Sequence, residues 1–87
     1  MDTKETIHKC SNIKRRDTGS HLILFSLDTG MLLEFNFTAK FIWDICDGRT
    51  VEDIQALYAQ EFEIGMDDAK SDVEDIIQIL KTKGYVS

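Results

Sequence analysis

Two patterns of apolar residues divide the chain near its middle. Across residues 6–35, short stretches that alternate apolar and polar positions, or run apolar for four residues, are broken by the triplet Asp-Thr-Gly. That is the pattern of strands joined by tight turns. Thr6–Lys14 reads as a first strand, Asp17-Thr18-Gly19-Ser20 as a turn, and His21–Leu27 as a second strand. Asp28-Thr29-Gly30 then makes a hairpin loop and Met31–Phe35 a third strand. A connection this short forces antiparallel pairing.

From Thr38 onward the apolar residues recur three and four apart, as on amphipathic helices. Between Thr38 and Asp47 the polar stripe is only Lys40, Asp44 and Asp47, so this short helix is covered on most sides, and Asp47-Gly48 ends it. Thr50 caps a second helix with Val51, Ile54, Leu57, Tyr58 and Phe62 on one face and Asp53 in the first turn, where the helix dipole favours it. Asp67 or Asp68 begins a third, with an inward row of Ala69, Val73, Ile76, Ile77 and Leu80 and Gly84 as its stop. Ile79 lies off that row. The expected fold is α+β, a three-stranded antiparallel sheet followed by three helices in a winged helix-turn-helix-like order.

Composition agrees with one small globular domain spanning residues 1–87: 43% of residues are hydrophobic, 30% are charged, and there is no proline. The longest apolar run, Leu22–Phe25, is far short of the roughly 20 residues a membrane-spanning helix needs. The amino-terminal residues do not form a signal peptide, so the expected location is the cytoplasm and Cys10 and Cys46 are expected to be reduced. The net charge of −6 is unevenly placed. Residues 1–43 hold six Lys/Arg against five Asp/Glu, and residues 44–87 hold four against eleven. This balance argues against nucleic acid and anionic membranes as partners, since both require clustered positive charge.

No catalytic set emerges. Asp-Thr-Gly at 17–19 and 28–30 matches the triplet of aspartic proteases, but each copy falls where a strand must reverse. His8, Cys10, His21 and Cys46 lack the paired spacing of a zinc site, and neither cysteine has a visible partner that would activate it. Neither enzyme activity, a metal nor a cofactor is expected. A winged-helix DNA-binding or regulatory protein is the alternative reading of the element order. Its recognition helix would then start with Asp67, Asp68, Asp72, Glu74 and Asp75 against Lys70 alone, which repels phosphate.

An ordered set of short motifs carries a resemblance. Asn36, Ala39, Ile42-Trp43, Asp47-Gly48, Thr50-Val51, Asp72-Val73, Leu80 and Gly84-Tyr85, within residues 22–86, resemble the PqqD-like family, also called the RiPP recognition element. The resemblance implies a non-catalytic domain that binds the leader of a ribosomally made precursor peptide and presents it to a maturation enzyme. The leader of such proteins adds as a strand to the third strand of the sheet, in the groove beside the third helix. The hairpin, strand, Asn and helix are most similar to the separate recognition proteins of lasso-peptide pathways. These work with a cysteine-type leader peptidase. A radical-SAM enzyme is the second choice of partner.

The dense apolar stretch MLLEFNFTAKFIW, residues 31–43, then divides into core and surface. Met31, Leu33, Phe35 and Phe37 should face one side, and Leu32, Glu34 and Asn36 the other. Trp43 is assigned to the core. Glu34 is the sole charge on a strand expected to lie at the sheet edge, which leaves that edge open to β-augmentation. Asp72, Ile76 and Ile79, spaced i, i+4 and i+7, form a second stripe on the third helix. The candidate peptide-binding residues are therefore Met31, Leu32, Leu33, Glu34, Phe35, Asp72, Ile76 and Ile79. Proline at either Leu32 or Glu34 is expected to weaken binding, with one position far more sensitive than the other.

Overall fold

The computed structural model describes residues 2–87. Its elements are β1 (Thr6–Ile7), β2 (Ile13–Asp17), β3 (Leu22–Ser26), β4 (Leu32–Phe35), α1 (Phe37–Ile45), β5 (Arg49–Thr50), α2 (Val51–Phe62) and α3 (Met66–Thr82). The main sheet is antiparallel in the order β2-β3-β4, and the three helices cover one of its faces with Leu22, Leu24, Phe35, Ile42, Trp43, Ile77 and Leu80 buried between the layers.

The first strand differs from its expected form. Residues 6–14 do not run straight, because Asn12 takes a left-handed conformation, φ 63°, between Ile7 and Ile13. Thr6 and Ile7 instead pair with Thr50 and Arg49 in a separate two-stranded sheet, and Ile13–Asp17 supplies the first strand of the main sheet. A strand therefore also lies between α1 and α2, within the half expected to be wholly helical.

Each helix has a recognisable start. The Asn36 side chain accepts from the Ala39 amide at 3.1 Å, and Thr50 Oγ1 accepts from the Asp53 amide at 3.1 Å. α3 starts at Met66 after Gly65, with Asp67 and Asp68 near its positive end. α1 ends before Asp47, whose carboxylate instead accepts from the Lys9 amide at 2.9 Å. Phe37 belongs to α1 and not to the strand, and it stands exposed beside Phe62. On α2, Gln55 is buried where Leu57 and Phe62 are only half-buried.

The carboxy-terminal end of α3 ties the hairpin down. Gly84, at φ 79°, turns the chain so that Tyr85 is fully buried. Its hydroxyl donates to the Met31 carbonyl at 2.7 Å and lies 3.3 Å from that of Leu24. The start of β4 is thus held from inside the core.

Candidate functional site

Among the described residues β4 pairs with β3 on one side and with no strand on the other, so it is an open edge. The direction of its backbone groups follows from the hairpin. Ser26 N–H donates to the Met31 carbonyl at 2.9 Å, and Gly30, at φ 71°, donates to the Ser26 carbonyl at 2.8 Å. Ser26 and Met31 thus stand at a hydrogen-bonded position of the ladder, with the Gly30 amide in place of that of Met31, which donates to Thr29 Oγ1. Bonded and non-bonded pairs alternate along an antiparallel ladder, so Leu33 and Phe35, opposite Leu24 and Leu22, also direct N–H and C=O toward β3. Leu32 and Glu34 direct theirs outward. This corrects the expectation that proline would discriminate between those two positions: residues two apart in a strand point their amides the same way.

Beside this edge runs a groove of about 450 Å³. Leu33, Glu34 and Phe35 form its strand wall, Ile76 and Ile79 its helix wall, and His21, Asn36 and Ala39 its remaining lining. Ile76 is half-buried against the core, whereas Ile79 is 41% exposed, too much for a core residue of its size. Past Asn36 and Ile76 the groove leads into a recess of about 210 Å³ with Thr38, Tyr58, Asp72 and Asp75. There the Tyr58 hydroxyl donates to Asp72 Oδ2 at 3.0 Å. Burial, and next the adjacent Asp72 carboxylate, push the Tyr58 pKa up, so this hydroxyl remains a donor at neutral pH. The groove therefore grades from apolar at Leu33 and Ile79 to acidic at Asp72 and Asp75.

Of the sequence candidates, the fold brings together Leu33, Glu34, Phe35, Ile76 and Ile79, with Asp72 at the acidic end. Leu32 lies outside the groove lining: its backbone groups face the open edge, and the residue is 59% exposed. Met31 lies outside the groove lining, its carbonyl already taken by Ser26 and Tyr85. His21, Asn36 and Ala39 were missed. The hairpin loop carried a signal for His21, because the register that sets Leu22 opposite Phe35 places His21 beside Asn36.

The two Asp-Thr-Gly triplets flank β3 at opposite ends, which separates their carboxylates by the length of a strand. Asp17 accepts from the Gly19 amide at 2.8 Å and pairs with Lys40; the Lys40 hydrogen bond first, and that amide second, hold its pKa below the usual carboxylate value. Asp28 accepts from Asn12 at 3.3 Å. Both are turn residues. Among the described residues no three His, Cys, Asp or Glu side chains group as metal ligands.

Cys46 is fully buried, and that burial raises its thiol pKa from 9.0 to about 11. A raised value in the folded state means the neutral thiol is favoured there. Its contribution to stability is complete below pH 9.0 and is lost as the pH rises through about 11. The urea midpoint should therefore fall across that window, and Cys46→Ala should flatten part of the fall. Burial raises the Tyr58 and Tyr85 hydroxyls as well, so they add to the fall. An unchanged slope in Cys46→Ala would show that the thiol is not coupled to folding.

A three-stranded antiparallel sheet with β4 at one of its edges, backed by three helices in this order, defines a winged-helix-like α+β domain. The chain belongs to the PqqD family: the family model described as Coenzyme PQQ synthesis protein D matches residues 21–86. Solved structures share the fold. TbiB1 in complex with the TbiA(beta) leader peptide matches with a TM-score of 0.82 and 17% identity, over 92% of this chain and 94% of that one. Lasso peptide synthetase B1 complexed with the leader peptide matches with a TM-score of 0.78 and 23% identity, over 95% of this chain and 99% of that one. No curated protein matches the sequence.

Proposed function

We propose that the chain is a non-catalytic, cytoplasmic recognition protein that captures the leader of a ribosomally made precursor peptide by β-strand addition and presents it to a maturation enzyme. The observation that carries this reading is the conjunction at β4. Outward backbone groups of Leu32 and Glu34 lie directly beside an apolar groove floored by Ile76 and Ile79. Main-chain hydrogen bonds set the register of an added strand, and its alternate side chains fall into the groove. The leader's apolar residues rest against Ile76 and Ile79, and a cationic or hydrogen-bonding group meets Asp72. Membership of the PqqD family and a fold shared with two leader-bound proteins support the same reading. The partner enzyme is a cysteine-type leader peptidase of a lasso-peptide pathway, with a radical-SAM enzyme as second choice.

Calorimetric titration with precursor peptides encoded beside the gene tests this directly. One of them should bind at micromolar affinity or better, about −8 kcal/mol. Random duplex DNA should not bind even at low salt, because Asp67, Asp68, Asp72 and Asp75 line the helix that would enter its groove. Binding of DNA with a steep salt dependence, and of none of the peptides, would reverse the assignment.

A further inference from the structure

A second cavity, of about 420 Å³, is lined by Thr3 of the amino-terminal segment, by Glu52, Gln55 and Ala56 of α2, and by Met66 and Lys70 of α3. Spacing along α3 sets Lys70 on one side of the inward row Ala69, Val73, Ile77 and Leu80, and Asp72, Ile76 and Ile79 on the other, so the cavity and the peptide groove lie on opposite flanks of the helix. Its volume falls within the roughly 300–1,000 Å³ of small-molecule sites. Gln55 is its least ordinary member. The residue is 2% exposed, and its Nε2 has no hydrogen-bond partner among the described residues. A buried donor left unpaired costs stability, and folded proteins hold few of them. The final torsion of glutamine is soft, so a small turn presents this amide to the cavity.

Charge defines the ligand further. Glu52 and Lys70 line the same cavity, yet neither makes an ion pair with the other or with any other described residue. A carboxylate and an ammonium held apart complement a molecule that carries both charges. α3 begins here at Met66, and Gly65 before it provides no capping side chain, so the free amides of the first turn add to the positive side. Ala56 and Met66, the latter 44% exposed, supply an apolar wall. A multiply charged anion such as phosphate is disfavoured by Glu52 and by Asp67 and Asp68 in the first turn of α3.

We propose that this cavity binds an apolar α-amino acid in its zwitterionic form. The ligand's carboxylate accepts from Gln55 Nε2 and Lys70 beside the start of α3, its α-ammonium pairs with Glu52, and its side chain lies against Ala56 and Met66. Each unpaired group of the cavity then has a partner. The bound molecule bridges the amino-terminal segment, α2 and α3, and so stabilises the folded chain. The site is separate from the peptide edge and stands whether or not a leader adds to β4.

Titration of the full chain with L-leucine tests this, read by nuclear magnetic resonance from the Gln55 side-chain amide and, in parallel, from the urea midpoint. Both should move saturably below about 10 mM ligand. N-acetyl-leucine lacks the ammonium and leucinamide the carboxylate; each should bind about tenfold more weakly or worse, and inorganic phosphate should not bind. Glu52→Gln should remove the preference for leucine over N-acetyl-leucine, and Lys70→Gln the preference over leucinamide. Both positions are exposed, so these variants keep the fold. Gln55→Met should withstand more urea than the wild type when no ligand is present, since the unpaired donor is gone, and should bind leucine about tenfold more weakly or worse. The absence of any saturable shift with L-leucine would overturn the proposal. So would equal binding of leucine, N-acetyl-leucine and leucinamide, which would reduce the site to an apolar recess, or full leucine affinity in both Gln55→Met and Lys70→Gln. L-leucyl-L-alanine, a longer zwitterion, tests size: binding about tenfold tighter than that of leucine would make the ligand a short peptide and overturn its assignment as a free amino acid.

Discussion

Replacing Trp43 with alanine is expected to cost about 3–5 kcal/mol and to leave the chain largely unfolded at room temperature. Trp43 is 3% exposed and sits on α1 in the layer between helices and sheet, with Ala39 and Ile42 as buried neighbours on the same helix and Cys46 buried just past its end. One face of its ring carries the Lys9 ammonium, 4.5 Å from the ring centre, so truncation removes a cation–π contact along with the packing. At 87 residues the whole fold has roughly 4–13 kcal/mol to lose, and small domains tend to the lower end. Urea denaturation followed by circular dichroism measures the loss. A variant that kept its stability but lost peptide affinity would place Trp43 in the binding site.

The parts of the fold that could be read from the sequence are those that depend on residues close together in the chain. Spacing of i, i+4 and i+7 put Asp72, Ile76 and Ile79 on one helix face, and the Asp28-Thr29-Gly30 loop joined two antiparallel strands; both features are present. What was not legible depends on distant pairings. Residues 6–14 read as one strand because nothing local shows that Asn12 bends left-handed or that Thr6-Ile7 pairs with residues 49–50, more than forty positions away. Met31 alternates correctly for the groove side, yet its carbonyl is claimed by Tyr85, a partner 54 residues further along. Gln55 is buried although its type favours the surface, and nothing in its neighbours' pattern accounts for that. For residues 6–14 and for Met31, local periodicity described the segment and a long-range contact decided what it meets.

The groove itself is tested most sharply by a charge at Ile79. Ile79→Glu should weaken leader binding by at least about 2 kcal/mol, some thirtyfold, because a peptide strand seated against β4 would bury the new carboxylate without a partner. The fold should survive, since Ile79 is already 41% exposed while the inward row of α3 is Ala69, Val73, Ile77 and Leu80. Proline scanning supplies an independent readout of the strand edge. Leu32 and Glu34 both direct their amides to the open side, so Leu32→Pro and Glu34→Pro should each delete one donor to the peptide while sparing the ladder to β3. Leu33→Pro removes an amide used inside the sheet and should destabilise the protein instead. The expected pattern is therefore two variants that fold but bind poorly, flanking one that folds poorly. Affinity for the leader peptide by calorimetry, alongside thermal melts of each variant, separates the two kinds of loss. Full affinity in Ile79→Glu and in both outward proline variants would mean that the peptide does not use this edge, and strand addition to β4 would have to be abandoned.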